Sequence, residues 1–425
     1  MIVKQAVQVR QGLNRRKLLE CLPVYGTGIL GSIFFAREIH ATPPGSSEYD
    51  VVEDPTRVLG RPVCDQGGYG KRSQFVTDVR KLKPGSPFSA RSLTPLQNSF
   101  GIITPSALHF ERCHAGVPTI NPKKHKVLVH GLIKSRVFSV EDLMMFPSYS
   151  RTCFLECSGN GKARWSENPK IESVQDSHGM MSTSEWTGVK LSVLLRELGV
   201  LDKAKWLIAE GGDSSLLTRS LPIEKCMDDA FIAYAQNGEP VRPEQGFPFR
   251  LVLPGWEGNV QIKWLRRLLL SDRPYYTQQE TSKYSDLLPN GKAQLFTFSM
   301  GVNSVITRPS GGMKLKNKGF HEIRGLAWSG SGSIKKVEVS VDGGLNWSKA
   351  NLQQPVLSKC HTRFSFPWFW DGKPCILQSR SYDAAGVQPS LRELVEKKGR
   401  HSGYHMNAIL SWKISSYGEI NYASV

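Results

Sequence analysis

The sequence lacks the cysteine patterns of several common cofactor sites. Its eight cysteines form no C-x-x-C pair, which argues against structural zinc, and no C-x-x-C-H, which argues against a c-type haem on this chain. There is no zinc-finger or RNA-binding signature and no arginine-rich tail, so nucleic acid is not an expected partner. The apolar segment Leu22–Ala36 is too short and too rich in glycine for a stable membrane span.

The composition is otherwise that of a globular protein with a basic balance. Of the 425 residues, 40% are hydrophobic and 22% are charged, and 55 Lys and Arg against 37 Asp and Glu give a net charge of +18. The length suffices for two domains with sizeable cores. The basic residues are spread along the chain, which is typical of a solvated surface and also suits the attraction of small anions or an acidic partner protein.

The N-terminal hundred residues divide into two segments. The pair Arg15-Arg16 precedes the apolar segment, and Ile39–Ala41 is a plausible cleavage end. Residues 1–41 are therefore predicted to be a Tat-type signal peptide, which implies a periplasmic protein. A chance arginine pair before a short buried segment is the alternative. Residues 42–100 are rich in Pro, Gly and Ser and are predicted to form an N-terminal extension with little regular structure.

A cysteine at the end of a short strand is the first candidate for chemistry. The stretch 151–165 reads RTCFLECSGNGKARW, in which β-prone residues end at Cys157 and a turn of small residues follows. Small residues let the backbone approach a ligand closely and leave N–H groups free. A cysteine is more often a small buried hydrophobe. The preceding Glu156 and the Gly-Asn turn disfavour that role here.

Several other residues are candidates for binding an anion. Arg112 and His114 alternate around Cys113, which places a cation and an imidazole on one face of an extended segment. Arg250 begins a strand after a turn, where a guanidinium can bind a phosphate in a bidentate manner. Each also has an ordinary structural role, as a solvated edge or as partly buried packing.

These segments together resemble the sulfite oxidase family. CSGN at 157–160 is similar to the loop of the family's molybdenum-ligating cysteine, FERCH at 110–114 to F-V-R-N-H, and QIKWL at 261–265 to V-K-W-L. The longest match is AY-x-x-NGEP followed by GFP-x-R-L-x-x-PG, over 233–255. The resemblance extends from about residue 100 to the C-terminus and so covers most of the chain.

The resemblance implies a mononuclear molybdenum held by one pyranopterin dithiolene, the molybdenum–molybdopterin cofactor. Cys157 would be the protein ligand, since a soft thiolate suits a metal that has other sulfur ligands. Arg112, His114 and Tyr284 would complete the catalytic site. One further candidate, Asp213, lies in a Gly-rich turn, where an Asp is also an ordinary turn residue. The residues expected to contact the cofactor are Phe110, Glu111, Arg112, Cys113, His114, Asp213, Gln245, Arg250, Gln261, Ile262 and Lys263.

Two positions depart from the family pattern. Lys162 stands where animal and plant members have an Arg in the oxyanion pocket, and a Lys keeps the charge but loses the bidentate fork. Gln245 stands where animal sulfite oxidases have a His, and a Gln cannot carry charge. These departures weaken the expectation that the pocket is tuned for sulfite. They also leave open a metal-free anion-binding or scaffold protein with the same fold.

The sequence predicts an α+β fold with two domains. Residues 101–292 are predicted to form a mixed α/β molybdopterin-binding domain. Beyond residue 293, short strands alternate with Gly, Asp and Asn turns, and Asp342–Gly344 is a hairpin signal, a pattern typical of an immunoglobulin-like β-sandwich. The resemblance makes residues 293–425 a dimerisation domain.

The expected activity follows from the resemblance. It implies molybdenum-dependent oxidation of a reduced inorganic sulfur species, protein-bound sulfane sulfur or a related anion, with electrons passed to a c-type cytochrome partner. A sulfite:acceptor oxidoreductase is the alternative within the family. A sulfur-carrier protein is a further candidate partner, and a homodimeric core or a heterotetramer is the expected assembly.

Overall fold

The computed structural model describes residues 68–86, 88–400 and 403–424. Ser73–Val425 forms one compact unit, and all the elements named below lie in it. The predicted signal peptide, residues 1–41, and the first part of the predicted extension lie outside the described residues. Over the described ranges, no helix has both the length and the apolar character needed to cross a membrane.

A small antiparallel sheet comes first along the described chain. It consists of β1 (Lys81–Lys83), β2 (Arg91–Leu93) and β3 (Glu111–Arg112), paired in that order. The register places Arg91 opposite Arg112. Part of the predicted N-terminal extension therefore has regular structure, and it pairs with the segment that carries the first candidate site residues.

Two five-stranded sheets form the mixed α/β part that follows. One has the order β11-β10-β7-β6, with β12 also paired to β10, and the other has the order β5-β4-β13-β8-β9. Strands β4 and β13 are parallel, and the other pairs are antiparallel. The elements are β4 Val127–Gly131, β5 Arg136–Phe138, α1 Val140–Met144, β6 Ser148–Glu156, α2 Val174–His178, β7 Met181–Lys190, α3 Leu191–Leu198, β8 Trp206–Gly211, β9 Thr218–Pro222, α4 Ile223–Asp228, β10 Phe231–Gln236, β11 Glu239–Pro240, β12 Arg250–Val252, β13 Leu265–Ser271, α5 Gln278–Ser282, β14 Asp286–Leu287 and β15 Ala293–Gln294.

Local sequence signals explain where the helices begin and end. Ser139 and Asp142 form the predicted capping box at the start of α1, in which each side chain accepts a hydrogen bond from the other residue's backbone N–H. The leucines of α3 recur at helical spacing and are buried. Gly199 ends that helix with φ 71°, a left-handed conformation that glycine adopts without steric cost. Both helix predictions are confirmed.

A β-sandwich forms the C-terminal part. Its sheets have the orders β16-β17-β21-β20 and β19-β18-β22-β23-β24, all antiparallel. The predicted hairpin signal at Asp342–Gly344 lies between β18 and β19. The predicted α+β fold with a C-terminal sandwich is confirmed. The elements are β16 Asn303–Arg308, β17 Gly319–Trp328, β18 Lys336–Ser340, β19 Ser348–Lys349, β20 Asn351–Leu352, β21 Thr362–Trp370, β22 Cys375–Tyr382, α6 Leu391–Lys398, β23 Ser411–Ile414 and β24 Ile420–Ala423.

The C-terminal half of strand β6 is buried on both faces, and this fixes where the strand ends. Phe154 packs in the core that also contains residues of both sandwich sheets, such as Trp328 and Leu377. Its neighbours Cys153 and Leu155 pack in a separate cluster. Successive side chains of a strand point to opposite faces, so both sides of β6 contribute burial, at about 1.5–3 kcal/mol for a fully buried large side chain. The end of β6 is therefore held between the two parts of the molecule.

Candidate active site

The cysteine loop, residues 157–165, follows directly from β6. The strand ends at Glu156, so Cys157 opens the loop and is not the last strand residue as the sequence predicted. The Cys157 N–H donates to the carbonyl of Met180 at 3.0 Å, and the Asn160 N–H donates to the Cys157 carbonyl at 2.8 Å. A Cβ on Gly258 would approach the Cys157 Cα to 3.2 Å, so only glycine fits beside the cysteine there.

Residues of the C-terminal sandwich hold this loop. The Trp328 indole donates to the buried carboxyl of Glu156 at 2.7 Å. Burial raises the pKa of Glu156 to about 7. The His405 N–H donates to the Ser158 carbonyl at 2.8 Å, and the buried Arg164 donates to the Ala408 carbonyl at 2.7 Å. The position of Cys157 therefore depends on both parts of the fold.

Cys157 lies on the wall of a deep cavity. The space that protein atoms leave free there amounts to about 700 Å³, part of it open to solvent. A volume of this order is typical of small-molecule and cofactor sites. The structure brings eleven of the sequence-predicted site residues together on this wall: Phe110, Arg112, Cys113, His114, Cys157, Asp213, Gln245, Arg250, Gln261, Lys263 and Tyr284.

Two predicted cofactor contacts, Glu111 and Ile262, do not line the cavity. Glu111 lies on β3, and its carboxylate pairs with Arg80 at 3.4 Å. Ile262 is fully buried in a hydrophobic cluster that includes Phe249. Each is the sequence neighbour of residues that do line the cavity. Their own side chains lie instead in the ion pair with Arg80 and in the hydrophobic cluster.

Arg250 is a buried cation on the cavity wall without a carboxylate among its hydrogen-bond partners in the described chain. Its Nη1 donates to the Gln245 carbonyl at 3.0 Å and its Nη2 to the Gln261 carbonyl at 3.3 Å. Burial lowers the pKa of Arg250 to about 9. A guanidinium held only by neutral acceptors keeps an uncompensated charge, which an anionic group of a ligand would balance.

Lys263 lies beside Arg250 and is likewise a buried cation that donates to backbone carbonyls. Its ammonium donates to the Glu244 carbonyl at 2.8 Å and to the Arg112 carbonyl at 3.1 Å. It is also 3.1 Å from the Cys113 sulfur. Burial lowers the pKa of Lys263. The two cations together suit the phosphate of a pterin cofactor.

The cavity wall also carries buried polar atoms that have no partner among the described residues. They are His109 Nε2, Asp213 Oδ1, Arg250 Nε and Asn259 Oδ1. Buried polar groups are nearly always hydrogen-bonded, so these atoms call for a ligand or water. Donors, acceptors, two cations and one thiol fit a pterin that carries a phosphate and a sulfur-ligated metal.

Six cavity residues were not predicted from the sequence. Three of them carry polar or aromatic groups: His109, Asn259 and Trp264. His109 precedes the FERCH motif by one residue, and burial lowers its pKa to about 3, so its ring is neutral. Asn259 follows the same Pro-Gly turn that the sequence match covers, and that proximity is the signal that could have found it. The full set is His109, Leu155, Leu217, Gly258, Asn259 and Trp264.

An outer cleft opens from the cavity at Cys157. Arg112, His114, Cys157 and Tyr284 line both spaces, as does Leu217. Among the described residues lining the cleft, four are Arg or Lys and none is Asp or Glu. A cleft of one charge sign concentrates small anions. Its lining is Ser89, Arg91, Arg112, His114, Cys157, Gly159, Lys162, Met180, Ser214, Ser215, Leu217, Gln278, Gln279, Lys283, Tyr284 and Tyr404.

Three of the predicted catalytic side chains are held at the junction of the cavity and the cleft. The Arg112 guanidinium donates to the Ser89 hydroxyl at 3.2 Å. His114 Nε2 is 3.3 Å from the Tyr284 hydroxyl. Partial burial and the charge of Arg112 lower the pKa of His114 to about 4, so the imidazole is neutral at pH 7. The arrangement offers a cation and a hydroxyl beside the thiol.

Cys157 is one of six cysteines in the described chain, all of them free thiols. Burial raises the pKa of Cys157 above its ordinary value. A bound metal ion reverses this, because a thiol that coordinates a metal is deprotonated outright. Cys157 is the only one of the six on the wall of both the cavity and the cleft.

Comparison with known protein families matches two regions of the chain. Residues 114–279 match the oxidoreductase molybdopterin binding domain. Residues 294–372 match the Mo-co oxidoreductase dimerisation domain. The first match contains the cysteine loop and most of the cavity wall, and the second lies in the β-sandwich.

Comparison with solved structures decides the family. The sulfane dehydrogenase SoxCD of Paracoccus pantotrophus is 40% identical, with a TM-score of 0.86, over 90% of this chain and 100% of that chain. The chain belongs to the sulfite oxidase family. Membership makes it a molybdopterin-dependent oxidoreductase and assigns it a molybdenum–molybdopterin cofactor, which the cavity residues fit.

Curated members of the sulfite oxidase family are more distant. The mitochondrial sulfite oxidase of Drosophila melanogaster is 31% identical over 295 residues, which are 64% of this chain and 51% of that protein. Nitrate reductase [NADH] 1 of Arabidopsis thaliana is 31% identical over 328 residues, which are 69% of this chain and 35% of that protein. The chain spans about half the length of the curated sulfite oxidases that it matches.

Proposed function

We propose that the chain oxidises a reduced, anionic sulfur compound at a molybdenum held by Cys157. One observation carries the proposal: Cys157, Arg112, His114 and Tyr284 line both the deep cavity and the outer cleft. A pterin in the cavity and an anion in the cleft would therefore meet at the thiolate. The bound molybdenum cofactor supplies the two-electron oxidation.

The residues at the junction bind and orient the substrate. Arg112 pairs with the anionic group, and its hydrogen bond to Ser89 fixes its orientation. The neutral His114 ring shares a hydrogen bond with the Tyr284 hydroxyl, which keeps the phenol beside the place where the anion binds. Donors arranged in advance around a developing charge lower a barrier by several kcal/mol, about 2.7–4 for one well-placed donor.

Arg250, Lys263 and Asp213 hold the pterin in the proposal. The two cations bind its phosphate, and the unpartnered Asp213 carboxylate oxygen accepts from a ring N–H. Gln245 donates to the Phe110 carbonyl at 2.8 Å and so fixes the segment that precedes Arg112. Gln245 thus replaces charge with a structural hydrogen bond at a position where animal sulfite oxidases have His.

Within this proposal, the substrate is protein-bound sulfane sulfur or a related anion. The open cleft with four cations admits an anion larger than sulfite. A solved relative at 40% identity is named a sulfane dehydrogenase. A sulfite:acceptor oxidoreductase is the second candidate, because several curated relatives are named sulfite oxidases. Turnover with sulfite, thiosulfate and a persulfide-loaded carrier protein distinguishes the two.

A c-type cytochrome is the proposed electron acceptor, since the sequence carries no haem-attachment motif and the electrons must leave the site. A homodimer through the C-terminal sandwich, as a core for a larger assembly with the cytochrome, is the proposed oligomer. Tat export to the periplasm is proposed from the twin arginines. Reduction of added cytochrome c tests the proposed electron acceptor, and sedimentation analysis tests the proposed oligomer.

Metal analysis of Cys157→Ser tests the central proposal. Wild-type protein from a host that makes the pterin should contain near-stoichiometric molybdenum and oxidise sulfur compounds. Cys157→Ser should fold normally and lose turnover, because an alcohol is a poor ligand for this metal. Cys375→Ser, which changes a half-buried cysteine on β22, is the matched control and should keep both its molybdenum and its turnover. Molybdenum-free wild-type protein, or normal turnover by Cys157→Ser, contradicts the proposal.

A further inference from the structure

Arg219, on β9, is a fully buried cation that is not part of the cavity or cleft wall. Its side chain is 0% exposed. The guanidinium lies 3.4 Å from Glu257 Oε1 and 3.5 Å from Glu280 Oε1. Both carboxylates are also buried. A buried ion cluster of this kind is stable only when its members are held in place by further contacts.

The guanidinium of Arg219 packs on the ring of Tyr284. Its central carbon is 5.1 Å from the ring centroid, a distance at which a cation attracts the face of an aromatic ring. The hydroxyl of the same ring contacts His114 at 3.3 Å. The ring of Tyr404 lies 5.2 Å from that of Tyr284. Arg219 thus contacts the ring whose hydroxyl faces the junction.

Glu280 ties Arg219 to the helix that precedes Tyr284. It is the capping-box residue of α5, and its carboxylate accepts from the Thr277 N–H at 2.9 Å. The same carboxylate accepts from the Ser220 hydroxyl at 3.1 Å, on β9 next to Arg219. The Tyr284 N–H in turn donates to the Gln279 carbonyl at 2.8 Å. Strand β9, helix α5 and Tyr284 are therefore fixed to one another.

Glu257 ties Arg219 to the cysteine loop. Its Oε2 is 3.0 Å from His405 Nε2, and the His405 N–H donates to the Ser158 carbonyl at 2.8 Å. Asn259, two residues after Glu257, donates to the Ser158 hydroxyl at 3.1 Å. The contacts of His405 and Arg219 lower the pKa of Glu257 although the carboxyl is buried. One buried cation is thus linked both to the Tyr284 ring and to the residue after Cys157.

We propose that Arg219 is a positioning residue that fixes the Tyr284 ring relative to the cysteine loop, so that the phenol points at the cavity–cleft junction. The expected effect on kcat rests on the proposed function. The expected effect on the position of the Tyr284 ring rests on geometry alone. The hydroxyl acts through its orientation, which matters most when charge develops on the substrate. Loss of the guanidinium over the ring should therefore lower kcat more than it changes KM.

Arg219→Lys is the principal test, because lysine keeps the charge between the two carboxylates and loses the planar guanidinium that lies over the ring. The structural readout is nitration of Tyr284 by tetranitromethane, followed by peptide mass spectrometry on the holoenzyme. Tyr284 is 9% exposed, so nitration of wild type should be slow. It should be several-fold faster in Arg219→Lys. Arg324→Lys, an exposed arginine paired with Glu322, is the control and should match wild type.

Glu280→Gln is the second variant, for the case that Arg219→Lys does not fold. The amide keeps one oxygen to accept from an N–H group, where the carboxylate accepts from Ser220 with one oxygen and from Thr277 with the other. It also removes the negative charge that holds the guanidinium. Glu280→Gln should also accelerate the nitration of Tyr284. Unchanged nitration in the folded variants overturns the inference, whether or not the protein turns over sulfur compounds.

A double-mutant cycle gives the kinetic readout. Arg219→Lys should lower kcat about tenfold with KM changed by less than about threefold. In a Tyr284→Phe background the same substitution should have no further effect on kcat, because the hydroxyl through which it acts is gone. An equal loss in both backgrounds shows that Arg219 acts elsewhere and overturns the inference. Absence of sulfur turnover in wild type refutes the proposed function and leaves the nitration result to decide the inference.

Discussion

At the scale of single residues, the buried histidines are neutral and therefore sensitive to acid. Burial is the largest cause that lowers the pKa of His109, His178 and His361 to about 3 in each case. A neutral ring avoids the cost of a buried charge. The unfolded chain takes up a proton at each of these positions near pH 6.5, whereas the folded chain does not. Stability is therefore fully present above pH 6.5 and falls as the pH is lowered towards 3.

His361→Gln tests this reading at a position away from the cavity. The variant removes one proton taken up on unfolding, so its free energy of unfolding should decrease less steeply with falling pH. The difference between wild type and variant should change by about 1.4 kcal/mol per pH unit between about pH 5.5 and 4.5. Urea unfolding at several pH values measures it. Parallel pH dependences of the two proteins contradict a neutral buried ring.

Single residues also differ in whether a sequence motif could identify them as part of the site. Cys157 and Arg112 were predicted because short local motifs surround them. Arg219 was not, because its partners Glu257 and Glu280 are distant in the sequence and only the tertiary fold brings them together. His405 contacts both Glu257 and Thr297, which are likewise far from it in the sequence. Sequence patterns report a residue's neighbours along the chain and not its neighbours in space.

At the scale of elements, the ends of β6 and β17 are joined by one hydrogen bond. Trp328, the last residue of β17, donates to the Glu156 carboxyl that ends β6, at 2.7 Å. Trp412 on β23 is equally buried and donates to the Ile306 carbonyl at 3.1 Å. The two indoles thus make similar bonds, one beside the cysteine loop and one within the sandwich.

Trp328→Phe and Trp412→Phe form a matched pair for this contact. Each should cost about 1–3 kcal/mol of stability, because a buried acceptor loses its donor. Only Trp328→Phe should also lower the molybdenum retained per chain after dialysis, since Glu156 precedes Cys157. Urea unfolding and elemental analysis measure both effects. Equal molybdenum loss in the two variants would show that general destabilisation, and not the cysteine loop, is responsible.

Elements were easier to predict from the sequence than the contacts between them. The capping box at Ser139 and the leucine spacing of α3 are local signals, and both helices form as predicted. The extension before residue 100 was predicted to be largely irregular, yet β1 and β2 lie there. These short strands gain their stability from pairing, β1 with β2 and β2 with β3, and not from their own sequence, so no local pattern predicts them.

At the scale of the whole molecule, positive charge is concentrated where the substrate is proposed to enter. Arg91, Arg112, Lys162 and Lys283 share the outer cleft, and the described lining has no carboxylate to offset them. The chain as a whole carries +18. Such a distribution steers anions at low salt and is screened at high salt, because the Debye length falls from about 30 Å at 0.01 M to about 10 Å at 0.1 M.

The double variant Arg91→Gln/Lys283→Gln tests this steering. For wild type, kcat/KM with an anionic sulfur substrate should decrease as ionic strength rises from about 0.01 to 0.3 M. The double variant should show a lower kcat/KM at low salt and a flatter salt dependence. Lys349→Gln/Lys373→Gln removes the same charge from exposed sites in the sandwich and should follow wild type. Equal slopes for all three proteins contradict steering by the cleft.

The contacts that hold the cysteine loop also set the order in which the holoenzyme can be made. Arg164 and the Ala408 carbonyl that it binds are 244 residues apart, and His405 holds Ser158 from the same distant segment. A ribosome releases the cysteine long before it releases these partners. The loop therefore reaches its final form only after the sandwich has folded against it. The complete cofactor site can therefore form only after the whole chain has been synthesised.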